Sequence, residues 1–371
     1  MKKIFIIPAM IGLIGLTTLS SCKKEPVEST GNQQEETVLR NEANQAVASR
    51  TQQAARFEKE FAFIQESNAG RTTRNLTETA VSLPIFKSLV AAVVKTGLAD
   101  VLATPNLNAT VFAPTDAAFA KLPAPFNNAS NISAISDPAQ IDGLRNILLY
   151  HVLGAKVLRN QVAPGRSSAV TLKPAGSSND NTIYFSNQFG VLLVNGNSLV
   201  IAANVLATNG VIHVIDDVLL PPTQTIADIA IANPAFSTLV AALVKTNLAG
   251  VFFNAGDFTV FAPTDAAFAQ LPAPFNSAAN INAISDPAQI SALANILKYH
   301  VTSSRYFAWD LGFFSRIGTI AEGSNNRLTG ILGLNGGYIR GNQNNSFARI
   351  QPANILASNG VIQVIDKVLL P

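Results

Sequence analysis

The nine residues VFAPTDAAF at positions 111–119 return unchanged at positions 260–268, and that repetition decides the architecture. Reading outward, residues 112–152 match residues 261–301 with eight differences. Upstream, FKSLVAAVVKT at 86–96 returns as FSTLVAALVKT at 236–246. Downstream, NGVIHVID at 209–216 returns as NGVIQVID at 359–366. Each copy is about 150 residues long, which suits a globular domain, whereas the units of solenoids run to about 20–50 residues. Pro221-Pro222 marks the junction, so domains are expected over residues 75–221 and 224–371.

Within one copy, Phe86, Leu89, Val90, Val93 and Val94 recur at helical spacing, with Gly97 as the stop. A short buried strand is expected over residues 109–112, ended by Pro114. Thr115 can cap the next helix, with Asp116 favourable in its first turn. Asp137-Pro138 is a strong helix start, Asp as the cap and Pro at the first helical position. Ile141, Leu144, Ile147 and Leu148 then form one apolar face that runs to Tyr150-His151. Short β-rich runs follow at 184–185, 191–194, 199–202 and 211–215, parted by Asn-Gly and similar turn pairs. Helices first and strands later predict an α+β domain.

A chain of 371 residues with 48% hydrophobic content has the material for two sizeable cores. Only 13% is charged, against about 25% in a typical soluble protein. The surface must therefore be built largely from Asn, Gln, Ser, Thr and Ala. With 26 basic and 23 acidic residues and no dense Lys/Arg block, nucleic acid is not an expected partner.

The sole cysteine, Cys22, rules out an intramolecular disulfide. Lys2 and Lys3 precede an almost continuously apolar run over residues 4–19, followed by Leu19-Ser20-Ser21-Cys22. A positive start, a short apolar stretch and small residues describe a secretory signal over residues 1–21. Leu-Ser-Ser-Cys also resembles the bacterial lipobox, which implies lipid attachment at Cys22 and contact with a membrane through that lipid. Two or three acyl chains make release negligible, since each buried methylene gains about 0.8 kcal/mol. Lys23, where inner-membrane lipoproteins carry Asp, points by resemblance to the outer membrane, and Lys23-Lys24-Glu25 resembles the tails of surface-exposed lipoproteins. Residues 22–74 are dominated by Gln, Glu, Asn, Thr and Ser, so a polar flexible stalk is expected. Phe57, Phe61, Phe63 and Ile64 support at most a marginal helix over residues 46–65.

The segments at 112–119, 150–151 and 209–216, each repeated in order at 261–268, 299–300 and 359–366, resemble the marks of the fasciclin domain. The resemblance covers nearly everything after the stalk. It implies two tandem fasciclin-like domains, each a β-sandwich-like wedge with a helical layer, and a role in cell adhesion or matrix attachment. It also makes the Tyr-His pairs, Tyr150-His151 and Tyr299-His300, candidate interaction residues. The competing reading packs both side chains at the helix end, because buried Tyr and His generally find partners.

Two departures mark the second copy. Gln363 replaces His213; it can donate and accept hydrogen bonds but is a poor metal ligand, which argues for a structural role. Between residues 303 and 354 the copies diverge, and Tyr306, Phe307, Trp309, Phe313 and Phe314 crowd together. The phenylalanines read as core and Trp309 as a surface aromatic able to stack on sugars or anchor a protein. Asp116 and Asp265 read as helix-end electrostatics rather than catalytic carboxylates. The three histidines have no metal-ligand spacing, and no Gly-rich phosphate loop, Gly-x-Ser-x-Gly elbow or Cys-x-x-Cys occurs. No catalytic residue, metal or cofactor is expected. The expected partner is a protein or polysaccharide of a surface or matrix, with an envelope lipoprotein that binds polysaccharide or a small ligand as the alternative.

Overall fold

The computed structural model describes residues 30–66, 73–176, 180–252, 256–324 and 326–371. The leader over residues 1–21, Cys22 and residues 23–29 and 67–72 of the expected stalk lie outside the described residues. One long helix, α1 (Thr30–Glu66), precedes the repeated part. The first copy contains α2 (Leu76–Ser82), α3 (Lys87–Lys95), α4 (Ala99–Ala103), β1 (Ala109–Pro114), α5 (Asp116–Phe119), α6 (Ala129–Ala134) and α7 (Pro138–Tyr150). Then come β2 (Val152–Leu153), β3 (Gly165–Val170), β4 (Thr182–Gln188), β5 (Val191–Val194), β6 (Ser198–Ala207) and β7 (Gly210–Ile215).

The second copy follows the same plan. Its helices are α8 (Ile226–Ala232), α9 (Ser237–Lys245), α10 (Asp265–Phe268), α11 (Ala278–Ala283) and α12 (Pro287–Tyr299). Its strands are β8 (Phe258–Pro263), β9 (Val301–Thr302), β10 (Ser315–Gly318), β11 (Arg327–Gly333), β12 (Gly336–Arg340), β13 (Ala348–Ile350), β14 (Ile355–Ala357) and β15 (Gly360–Ile365). The Asp-Pro helix starts form as read: Asp137 Oδ1 accepts from Ala139 N at 3.0 Å, and Asp286 Oδ1 from Ala288 N at 2.9 Å.

The first sheet runs β2-β1-β7-β6-β5-β4-β3, with β1 and β7 parallel in the centre and Phe112 opposite His213. Every residue of β1 and β7 is buried, because both faces are covered. Successive side chains alternate: Val111, Ala113, Ile212 and Val214 face the helices, while Phe112 and Ile215 face the interior of the sheet with Tyr150, Ile183 and Phe185. Register shifts along β6, with Asn204 at φ +60, bend the strand. The sheet curls until Leu153 bridges Thr171 just beyond β3. The second sheet runs β10-β11-β12-β13-β15-β8-β9, with β14 paired to β15 and β8 parallel to β15.

The closing motif is architectural. Asn209 Oδ1 accepts from Leu76 N at 2.9 Å, and its Nδ2 donates to the carbonyls of Leu102 and Thr104. One amide thus ties α2 and α4 to the sheet. Asn359 repeats the role, accepting from Ile226 N at 2.8 Å. A Cβ on Gly210 would lie 2.3 Å from the Ala109 carbonyl oxygen, and one on Gly360 equally close to that of Phe258, so no larger residue fits either position. Asp216 Oδ1 accepts from Leu199 N at 2.7 Å and pins β6 to β7.

Where a flexible stalk was expected, residues 30–66 form the single helix α1, and it is docked. The helix lies on β5 and β6 of the first copy and β11 of the second. Leu39, Ala43 and Ala46 are buried at spacings of four and three, a narrow helical stripe, and Phe61 is buried further along. Side-chain bonds fix both halves. Towards the second copy, Glu42 accepts from Tyr338 Oη at 2.7 Å and Glu36 pairs with Arg340 at 3.0 Å. Towards the first, Gln53 Nε2 donates to Asp216 Oδ2 at 2.8 Å. Composition misled because the stripe is mostly alanine, which adds little apolar content yet is the best helix former and lets backbones approach closely.

Ala43 is fully buried, so Ala43→Glu should undock α1 and cost about 1–3 kcal/mol of stability. Hydrogen exchange along residues 36–57 is the direct measurement. Unchanged protection in the variant would show that the stripe does not hold the helix.

Candidate interaction site at the inter-domain seam

The Tyr-His pairs sit in the two cores. Leu144 and Leu148 face the helix-side core, while Tyr150, at the end of α7 and on the opposite side, enters the curled sheet, where it is 0% exposed. Its hydroxyl donates to the Thr182 carbonyl at 2.7 Å and accepts from Asn195 Nδ2 at 3.1 Å. Burial pushes the phenol well above its usual range. His151 Nδ1 donates to the Ile147 carbonyl at 2.7 Å, and Nε2 accepts from Leu219 N at 2.9 Å. That pattern holds the neutral ring, and burial lowers its pKa to about 4. Tyr299 and His300 repeat it, with Oη donating to the Arg327 carbonyl and Nε2 accepting from Leu369 N at 2.8 Å. All four side chains are enclosed, so as interaction candidates they are out of a partner's reach in the folded chain; they join the helix end to the next strand and to the final segment of each copy.

His213 and Gln363 perform one task with two chemistries. His213 Nδ1 accepts from Asn204 N at 3.3 Å and Nε2 donates to the Val157 carbonyl at 2.9 Å. Gln363 Oε1 accepts from Asn354 N at 2.9 Å and Nε2 donates to the Tyr306 carbonyl at 2.9 Å. Asn204 and Asn354 both have φ near +60, so each ring or amide satisfies the backbone at a left-handed bend.

Asp116 and Asp265 serve a helix other than their own. Asp116 Oδ1 accepts from Ser88 N at 2.7 Å, at the start of α3. Asp265 accepts from Thr238 N and Ser237 Oγ, both at 2.7 Å, at the start of α9. Burial raises the Asp265 pKa, but these hydrogen bonds outweigh it and leave the carboxyl below its usual range.

The divergent aromatic segment builds the contact between copies. Trp309, read from sequence as a surface residue, is 6% exposed and packs in the core shared by the first copy and α1. Phe189 meets Trp309 edge-on at 6.0 Å and Phe313 at 5.3 Å. Phe307 lies 6.2 Å from Tyr184 and over Gly196, where a Cβ would come within 2.3 Å of the ring. Arg166 stacks on Tyr306 at 3.7 Å and Arg305 on Tyr184 at 4.2 Å, each reaching across the seam. The contact of the buried Arg305 is worth about 2 kcal/mol and that of the exposed Arg166 about 0.5–1 kcal/mol. Arg166 Nη1 donates to the Arg305 carbonyl at 2.9 Å, Gln188 Nε2 to that of Trp309, and Asn354 Nδ2 to that of Gly196 at 3.1 Å. Sequence reasoning missed Arg166 and Arg305; the only signal was the divergence between copies.

Among the described residues, the buried side-chain polar atoms without a hydrogen-bond partner are Ser186 Oγ, Arg305 Nη2, Trp309 Nε1 and Asp310 Oδ1. All four lie in the seam, the least satisfied part of the described chain. Asp310 Oδ2 accepts from Phe307 N at 2.9 Å, in the place where Gln161 caps the corresponding turn of the first copy. Burial raises the Asp310 pKa to about 6, with the hydrogen bond from Phe307 N and the charge of Arg166 pulling it back.

Residues 84–221 and 234–371 each match the fasciclin domain. The chain is 30% identical over 266 residues to transforming growth factor-beta-induced protein ig-h3 of Sus scrofa, covering 71% of this chain and 34% of that protein. It therefore spans about a third of the length of that relative. It is 32% identical over 161 residues to the cell surface glycolipoprotein MPB83 of Mycobacterium bovis, covering 43% of this chain and 66% of that protein. A solved fasciclin domain pair from the insect cell adhesion molecule Fasciclin I matches with 20% identity and a TM-score of 0.36, over 76% of this chain and 95% of that one.

Asp310 and the buried histidines act oppositely on stability. A carboxyl raised from 3.8 to about 6 contributes stability below its ordinary pKa that is lost as pH rises through 6. Histidines lowered from 6.5 to about 4 contribute stability above the ordinary value that is lost as pH falls through 4. Asp310→Asn should therefore steepen the rise in unfolding free energy between pH 4 and 6, by ~1–3 kcal/mol across that window. Parallel denaturant titrations would show it; superimposable pH profiles would mean that Asp310 titrates normally.

Proposed function

The chain belongs to the fasciclin domain family, and from that premise we propose that it is an envelope-anchored lipoprotein mediating cell adhesion or matrix interaction through its tandem domains. The observation that carries this reading is the locked pair. The polar residues that the motifs single out are spent inside the cores, and α1 and the seam hold two copies in one orientation. A fixed pair engages a multivalent surface with raised avidity, even where each contact is weak. The same burial argues against catalysis, since Tyr150, His151 and their counterparts have committed both donors and acceptors. Anchoring rests on the leader and on lipid attachment at Cys22. MPB83, by its name a cell-surface glycolipoprotein, supports an envelope location; Lys23 favours the outer membrane, and Lys23-Lys24-Glu25 favours surface exposure.

A second reading, capture of polysaccharide or a small ligand at the envelope, is favoured by one observation. A polar cavity of about 320 Å³ opens beside Trp309 where α1 and both copies meet.

Two measurements test the main reading. Mass spectrometry of the mature protein should find an acylated Cys22 as its first residue; an unmodified cysteine removes the anchor. Cells carrying the protein should attach to matrix or host surfaces more than cells lacking it, and equal attachment across several such surfaces defeats the adhesion role.

A further inference from the structure

We propose that the cavity at the three-way junction is a binding site for a carboxylate-bearing sugar, a uronate unit of an acidic polysaccharide. This deepens the second reading above and rests on it. Ser49 and Arg50 of α1, Asn197 of the first copy and Trp309, Asn335 and Asn354 of the second contribute to its wall. No single domain could form it.

The lining sets the ligand's chemistry. Arg50 makes no hydrogen bond or ion pair among the described residues, although a guanidinium offers five donors in a planar fork. Asp216, whose charge acts on Arg50 through space, already accepts hydrogen bonds from Gln53 and Leu199 N. Glu42, two turns earlier on the helix, is held by Tyr338 Oη and Leu334 N. No carboxylate is in the wall, so Arg50 is the one charged residue of the lining. Bidentate pairing with a carboxylate is the interaction that a free guanidinium makes best.

Around that cation stand groups suited to hydroxyls. Asn335 and Ser49 are exposed and make no hydrogen bond through their side chains, while Asn197 spends only its Oδ1, on Asn354. Trp309 supplies an apolar wall. The volume stands at the lower end of the roughly 300–1,000 Å³ of small-molecule sites, which suits one sugar ring rather than a peptide segment.

Trp309 is the only tryptophan in the chain, so its fluorescence reports on this cavity directly. The purified soluble protein from residue 23 onward would be titrated with oligogalacturonate, neutral oligoglucose and a short peptide with a free C-terminal carboxylate. Oligogalacturonate should shift or quench the emission saturably, and Arg50→Gln should weaken it about 10–100-fold with an unchanged melting temperature. Asn335→Ala, in the second copy, should weaken it without a change in α1 itself. The proposal is overturned by a flat response to the uronate, by an equal response to neutral sugar, by a response to the peptide alone, or by full affinity in both variants. Cell attachment is a separate readout: equal attachment with and without the protein, with uronate binding intact, defeats the adhesion role and leaves the site standing.

Discussion

A strand buried on both faces must find apolar cover twice. The parallel pairs β1–β7 and β8–β15 impose that demand on each copy. Helices answer it on one side. On the other the sheet must curl back over its own centre, which it does through the bend in β6 and the contact between Leu153 and Thr171. The repeated motifs follow from the same constraint. Phe112 and Tyr150 fill the curl, Asp116 holds the neighbouring helix, and Asn209 and Gly210 bring the first helix down onto the central strands.

What the first copy keeps regular, the second copy changes where the two meet. Divergence between residues 303 and 354 leaves the central strands intact and alters the face turned to the partner domain. The seam joins stacked cations, edge-on aromatics and a few backbone acceptors, yet it leaves four buried polar atoms unmatched. An apolar seam would be simpler to satisfy. This one ties domain geometry to the ionisation of Asp310 and to the placement of α1.

The sequence made some of this legible. Asp137-Pro138 marks a helix start through chemistry confined to adjacent residues, and the repeat supplies domain size without any structural input. Substitution of Gln363 for His213 pointed to a hydrogen-bonding role, because a donor and an acceptor are what the two side chains share; the bonds to Asn204 N and Asn354 N bear that out. Other features depend on partners far away in the chain. Trp309 is buried by Phe189, 120 positions earlier, and nothing near either residue announces the pairing. For helix α1 the sequence supports only a marginal helix over residues 46–65, for a related reason: its alanine stripe gains meaning only against a surface made by both domains. Asp116 was read as serving its own helix, and the structure turns its carboxylate to α3 instead.

The layout of α1 also sets a load path. Its early residues, Glu35, Glu36, Arg40 and Glu42, grip the second copy, while Gln53 and Phe61 lie against the first. At about 1.5 Å per residue, a helix of 37 residues spans some 55 Å. Tension drawn through residue 30 therefore arrives first at the domain that comes last in the chain. A pull along the helix axis would strain these contacts lengthwise, in shear, instead of peeling them apart one at a time. A body tugged from its amino end would resist as one piece.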